Sequence, residues 1–339
     1  MYQATTTAAS LQPVSVVICA RNEAENLRHN LPEILQQTAP NKAPIVYEVV
    51  VIDDGSDDDT VTVLQMLARQ YPHLSFASIP AGGKKAALRH ALSIARYQHL
   101  LFTDADCRPG SSQWVYEMCA PLNTGYDIVA GYGAYEQIPQ SLLNCSIQWE
   151  TMHTWWQYSG YINTGMPYMA VGRNMACTRT IARQAMQQPL WNSLPYGDDD
   201  LLLAVTGTRA RVGAVATHGS ETISAPKRTW GDWVRQKQRH LSTGKYYRLP
   251  VRLALGAYAF SNAGMWVAIP AMFVLGTFPL LVAVAIVPLL LQWLVAQQAG
   301  KRFRIHIPLW QWVAGSMAWV LYNFTFLPYI AWKNKINWT

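Results

Sequence analysis

The chain has 339 residues, room for one large or two ordinary domains, and half of them are apolar while only 14% are charged. That is little charge for a soluble protein of this size, and the net +7 is local: eight Lys/Arg face the single acid Asp232 between Lys227 and Arg252. A basic stripe ahead of an apolar tail suits an anionic lipid surface or an anionic substrate. Nucleic acid is the weaker reading and is not expected as a partner, because there is one short stripe and no recognised nucleic-acid module. The five cysteines (Cys19, Cys107, Cys119, Cys145, Cys177) show neither CxxC pairing nor zinc spacing and read as reduced thiols of a cytosol-facing domain. The opening residues lack a basic segment followed by an apolar run, so no cleaved signal peptide is expected.

Along the chain, residues 14–19, 48–52, 74–79 and 99–103 are short, apolar, β-branched runs. Each precedes a polar stretch and a helix-length segment, over Glu23–Gln37, Asp58–Gln70 and Lys84–Tyr97 for the first three. Strands alternating with helices predict an α/β fold with a parallel sheet and a ligand across the carboxyl ends of its strands. The aromatic stretch at about 146–161 is too short to cross a bilayer; it reads either as an interfacial segment or as aromatic core packing. A basic helix is expected at about 230–245.

Beyond about residue 250 the pattern changes. Apolar stretches at 254–275, 279–297 and 308–332 are each about 20 residues long, which at ~1.5 Å per residue crosses a ~30 Å hydrocarbon layer. The division is therefore a 1–250 catalytic domain and a 251–339 membrane region. Lys245, Arg248 and Arg252 precede the first stretch and Lys301, Arg302 and Arg304 follow the second, whereas the turn at 276–279 is uncharged. The positive-inside rule then predicts a multi-pass protein of the cell (inner or plasma) membrane, with its catalytic domain in the cytosol. Lys333 and Lys335 leave a re-entrant or partial third helix as an alternative to a crossing one.

Four signals carry chemistry. Asp53-Asp54-Gly55-Ser56 closes a strand, where a carboxylate can accept from a nucleoside, although the same residues make ordinary turns. Gly82-Gly83-Lys84-Lys85 opens a helix and suits phosphate without matching a Walker loop. Asp104 and Asp106 lie two apart after an apolar run, so both carboxylates can reach one site and offer hard oxygens to magnesium or manganese. The acids Asp198, Asp199 and Asp200 follow Gly197, and a Gln236-x-x-Arg239-His240 motif comes later. Three successive acids repel one another unless cations or catalysis use them, or unless they only begin a helix.

With Cys19-Ala20-Arg21-Asn22-Glu23 and Gly83-Lys84-Lys85-Ala86-Ala87-Leu88, these motifs stand in an order that resembles family-2 glycosyltransferases of the GT-A fold over residues 14–240. The apolar tail is similar to that of the family's membrane-integrated members. The resemblance implies an inverting, Mn2+- or Mg2+-dependent transfer of a sugar from a UDP- or GDP-sugar to a lipid or glycan hydroxyl. It implies that Ala20, Arg21, Glu23 and Asp54 hold the nucleoside and that Lys84 approaches the nucleotide or diphosphate. Asp104 contacts ribose or metal, Asp106 binds the metal directly, and Gln236 and Arg239 close over the diphosphate. The catalytic base is Asp198, or Asp199, because Gly197 stands where the family has Glu. His240 replaces the family's Trp, and its smaller polar ring holds a sugar face less well, so one sugar or a few are expected per acceptor. The rival readings are a processive polysaccharide synthase, a nucleotidyl transferase and a non-catalytic membrane binder of sugar or lipid.

Overall fold

The computed structural model describes residues 11–194, 197–207 and 209–331. In chain order it begins with β1 (Val14–Ala20), α1 (Ala24–Ile34), β2 (Tyr47–Asp54), α2 (Thr60–Gln70), β3 (Leu74–Ile79), α3 (Lys84–Ile94) and β4 (His99–Asp104). These are the strands and helices expected from the hydrophobic pattern. α3 stops three residues early for a physical reason. The Glu48 carboxylate accepts the Arg96 backbone N–H and guanidinium, and Arg179 donates to the carbonyls of Ala95 and Tyr97, which draws 95–97 out of the helix and into the link that leads to β4.

Short elements follow: β5 (Cys107–Pro109), α4 (Trp114–Cys119), β6 (Ile128–Ala130), β7 (Gly133–Tyr135), α5 (Leu142–Asn163), β8 (Met175–Thr178), α6 (Arg179–Met186), α7 (Pro189–Asn192), α8 (Asp198–Thr206), β9 (Val212–Ala214) and β10 (Thr222–Ser224). The main sheet runs β3-β2-β1-β4-β8-β6-β9, and β5-β10-β7 form a second, small sheet. β3, β2, β1 and β4 are parallel as expected, but β8 pairs antiparallel with both β4 and β6. The sheet is therefore mixed, not all-parallel. Its central strands are buried on both faces: Val16, Ile18, Val49, Val51 and Leu101 are covered on one by helices that bring Leu27, Leu31, Leu64 and Trp114, and Val17, Val50, Ile52 and Leu100 are buried on the other.

β1 lies between β2, which follows it in sequence, and β4, which comes later. That reversal opens a crevice at the carboxyl ends. The register places Ala20 beside Asp53, and Cys19 beside Asp104.

The chain divides into two compact units. Of the described residues, one unit holds those up to Glu136 together with those from Tyr158 to Pro226, and the other holds Gln137–Gln157 and those from Lys227 onward. The segments 137–157 and 227–250, assigned to the catalytic domain from sequence, thus cluster with the apolar helices. Within this second unit are α9 (Trp230–Leu241), α10 (Leu249–Val274), α11 (Phe278–Leu281), α12 (Val287–Arg302) and α13 (Leu309–Ala331). Aromatic packing accounts for much of the 146–161 stretch there. Trp149 stacks on His153 with ring centroids 4.9 Å apart, Trp149 packs on Trp312, and His153 bonds the Tyr258 hydroxyl at 2.9 Å.

Two helices, Leu249–Val274 and the continuous Phe278–Arg302 segment, are long and apolar enough to cross a membrane, with mean hydropathy 1.3 and 2.4. Only 11% and 12% of their apolar stretches are covered by protein, unlike the mostly buried core helix of a soluble fold. The third expected stretch is the 23-residue helix α13, which is not among the two candidate spans. Its buried Ser316 accepts from Asn262 and Trp266 of α10. Lys333 and Lys335 lie outside the described residues.

Candidate active site

The site is built from three strand exits. After β1, Asn22 takes a left-handed conformation (φ 57°) and stitches two loops together. Its N–H donates to Ser56 Oγ and its side-chain oxygen accepts the Asp57 N–H, both at 2.8 Å. Glu23 N–H donates to Thr60 Oγ1 in the same seam. Ala20 is buried beneath it and Arg21 is exposed. Burial, followed by the fields of Asp106, Asp104 and Asp58, raises the Glu23 carboxyl against the bond from Asn26 that lowers it.

After β2, the buried Asp54 carboxylate accepts the Gly82 N–H at 2.7 Å and the Gly83 N–H at 2.8 Å. Sequence reading aimed Asp54 at a nucleoside, but in the structure both its oxygens shape the glycine loop ahead of α3. Gly83 sits there at φ 83°, a conformation that side chains rarely adopt, and delivers Lys84 as the first residue of the helix.

At the end of β4, Asp104 meets that lysine. Lys84 Nζ lies 2.8 Å from Asp104 Oδ1 and 3.3 Å from Asp198 Oδ2, the latter at the first turn of α8. Burial alone would lower the Lys84 ammonium. The charges of Asp104, then Asp198 and Asp199, outweigh it and hold the group well above its ordinary value. Cys19 lies under the cluster, and burial keeps its thiol protonated.

Asp199 points elsewhere. Its Oδ2 accepts the Gly172 N–H at 2.7 Å and its Oδ1 accepts the Asp200 N–H at 2.8 Å. A Cβ on Gly172 would stand 3.2 Å from Asp199 Oδ2 and 3.3 Å from Asp198 Oδ2, so a side chain here would make the carboxylates give way slightly. Burial first, then the charge on Asp198, pushes the Asp199 carboxyl up to about 6, with Lys84 and the two amides opposing.

Lys84, Asp104, Asp198 and Asp199 are thus brought together. Asp106 follows β4 by two residues, is exposed, and lies 3.3 Å from Cys107 Sγ. Among the described residues no three His, Cys, Asp or Glu side chains form a group able to hold a metal alone. Two carboxylates, Asp104 and Asp106, nonetheless fit a hard cation that arrives with diphosphate oxygens, the usual manner for magnesium. Gln236, Arg239 and His240 all lie on α9 in the second unit, the first two half-buried and His240 exposed. Sequence reading missed the Gly172 amide and Trp191, whose indole N–H donates to the Asp198 carbonyl at 3.2 Å. A Gly-Arg-Asn triplet before a β-branched-poor strand was the only available signal for the former.

A parallel α/β half-sheet with a lysine and paired carboxylates at its carboxyl edge is the arrangement of a GT-A domain. The sequence pattern of glycosyl transferase family 2 matches residues 15–187, just over half of the chain, and the chain belongs to this family. It is 33% identical over 125 residues to the glycosyltransferase AglE of Haloferax volcanii, which covers 36% of this chain and 40% of that protein. It is 28% identical over 151 residues to the undecaprenyl-phosphate 4-deoxy-4-formamido-L-arabinose transferase of Pseudomonas fluorescens (42% and 43%). A third relative is the dolichyl-phosphate beta-glucosyltransferase of Drosophila melanogaster, 34% identical over 27% of this chain and 30% of that one. The chain therefore matches less than half the length of these relatives. The mannosyltransferase PcManGT of Pyrobaculum calidifontis, solved with GDP-Man and Mn2+, superposes with TM-score 0.54 at 18% identity over 93% of this chain and 88% of that one. That likeness supports the fold.

Asp199 makes stability depend on pH with a definite sign. Its folded value of about 6 lies above the ordinary 3.8, so between those values the folded chain binds more protons and stability falls as pH rises. Asp199→Asn removes this charge and one amide acceptor, so any gain in stability over the wild type should be larger at pH 7.5 than at pH 4, by about 1–3 kcal/mol. An equal gain at both pH values, measured by thermal unfolding, would contradict this charge balance.

Proposed function

We propose that the chain transfers a sugar from a UDP- or GDP-sugar to a hydroxyl of a lipid or glycan acceptor at the membrane, with inversion and with a divalent cation. The observation that carries this reading is the cluster of Lys84, Asp104 and Asp198 at the carboxyl ends of β1 and β4 in a family-2 domain. Lipid-phosphate acceptors appear in the names of two relatives, and GDP-Man and Mn2+ in the description of the structural neighbour.

The base is Asp198. Both oxygens of Asp199 already accept backbone N–H groups, whereas Asp198 Oδ2 faces Lys84. Asp198 accepts the proton of the acceptor hydroxyl as that oxygen bonds to the anomeric carbon. The bond from that carbon to the diphosphate breaks on the opposite face. Lys84 offsets the negative charge gathering on the departing nucleoside diphosphate. Asp104 and Asp106 would hold Mn2+ or Mg2+, whose charge further stabilises the diphosphate. Asp54 serves the nucleotide indirectly, by shaping the Gly82-Gly83 loop. The roles of Gln236, Arg239 and His240, and with His240 the addition of one or a few sugars, rest on the family resemblance.

The second unit is read as the membrane anchor, with the family-2 domain on the cytosolic side. Phe260, Val267, Phe273 and Val274 on α10 are more than three-fifths exposed, a contiguous apolar surface that water does not favour. The basic residues at 245–252 and 301–304 flank the two candidate spans on one side.

Four outcomes test this. With a panel of UDP- and GDP-sugars and membrane extract as acceptor, Asp198→Asn should lower transfer by at least ~10²-fold with donor binding retained, and Asp199→Asn should be milder. A strong chelator should stop the wild type, and Mn2+ or Mg2+ should restore it but leave Asp106→Ala inactive. Products of limiting acceptor should carry one or a few sugars by mass; full turnover in chelator, reversed ranking of the two aspartates, or long polymers would each refute the matching part. In fractionation, the protein should stay with membranes through a high-salt wash, since apolar insertion is not screened as surface charge is. Release by salt alone would mean that the apolar helices pack inside a soluble fold.

A further inference from the structure

The adjacent lysines at the start of α3 do different things. Lys84 faces the carboxylates. Lys85 turns the other way and is buried, 7% exposed. Its ammonium donates to the backbone carbonyls of Trp191 and, at 2.9 Å, of Leu194. It also lies 4.5 Å from the centroid of the Trp191 ring. Trp191 is itself 1% exposed and passes the contact on, since its indole N–H bonds the Asp198 carbonyl. Arg89, one turn along α3, adds its guanidinium at 5.3 Å from the same ring and a bond to Asn192. By sequence the pair at the helix start suits phosphate, and the family resemblance singles out Lys84 alone. Here the second has its donors committed to carbonyls of the segment that leads into the acidic triplet.

We propose that Lys85, acting through Trp191, is a positioning residue that fixes where Asp198 stands relative to Lys84. The proposal rests on the reading of Asp198 as the base. Lys84 and Lys85 are consecutive on one rigid helix, so the anchor of the α7–α8 segment and the cation that Asp198 faces move as one body. A buried ammonium over an indole with two carbonyl acceptors is a stiff link. Its loss leaves those carbonyls without their buried donor and frees the entry to α8 to shift. Lys84 and Asp104 keep their own supports, the glycine loop pinned by Asp54 and the sheet register, so their contacts to a nucleotide are not altered.

The test uses the full chain in detergent or nanodiscs. Lys85→Met keeps the apolar stem and removes the donors. Since a displacement of ~1 Å at a reacting group costs up to ~10²-fold, Lys85→Met should lower kcat by about 10-fold or more. Binding of UDP or GDP with Mn2+ should change less than about 3-fold. Trp191→Phe, which keeps an aromatic ring near Lys85 but deletes the N–H to Asp198 along with part of the ring, should lower kcat in the same direction, and it decides the matter if Lys85→Met does not fold. Added to Asp198→Asn, Lys85→Met should cost little more, because both act on one group. Loss of nucleotide binding with kcat intact would make Lys85 a phosphate ligand. Unchanged kcat in the folded variants, or a fully additive loss in the Asp198→Asn background, would also overturn the proposal. An Asp198→Asn protein that keeps transfer overturns the base assignment alone. Amide exchange then judges the clamp: Lys85→Met should quicken exchange across 197–207 and not in β1–β4, and unchanged exchange there refutes it.

Discussion

A lysine ammonium held between carboxylates from two distant parts of the chain sets the geometry of the first unit. Lys84 Nζ touches Asp104 at the end of β4 and Asp198 at the start of α8. Like charges about 4 Å apart repel by roughly 4 kcal/mol at an effective dielectric constant of 20, so Asp104, Asp198 and Asp199 could not gather here without a cation among them. With the ammonium in place, two carboxylates stay paired, while the third, Asp199, is left with a raised pKa and takes its support from amides instead.

The backbone makes that arrangement reproducible. β1, β2 and β4 end side by side because their register is locked by a sheet buried on both faces. Asp54 then uses its carboxylate on the Gly82 and Gly83 amides, so the loop that aims Lys84 is pinned to the same sheet edge. On the far side, the amide of Gly172 holds Asp199 and the Trp191 indole holds the Asp198 carbonyl. Each carboxylate of the cluster is thus oriented by a contact other than the ammonium itself, or by its place at a strand end. That is the pre-organisation a charged transition state requires.

How much of this was readable beforehand follows from what leaves a periodic trace. β1–β4 and α1–α3 are long enough for alternation and 3.6-residue spacing to register, and they lie within a few residues of where the pattern puts them. β5–β10 are three or four residues long, and their pairing is decided by tertiary context, so the antiparallel turn of the sheet at β8 left no mark. Lys84, Asp104 and Asp198 could be picked out because charged residues at strand and helix ends have few cheap explanations. Gly172 and Trp191 could not, since a backbone amide and an indole N–H act through position alone. The lysine pair was legible as a unit, but its division of labour was not: which way Lys85 turns depends on carbonyls more than a hundred residues away.

The central claim is that the Lys84 cluster is the diphosphate end of a sugar-nucleotide site. Calorimetric titration of UDP and GDP into the protein with Mn2+ tests it most directly. The account predicts measurable binding of one of them to the wild type and binding at least about tenfold weaker to a folded Lys84→Met protein, the effect of one charge-assisted phosphate contact. Equal affinity in the two proteins would contradict it and return Lys84 to a purely structural ion pair.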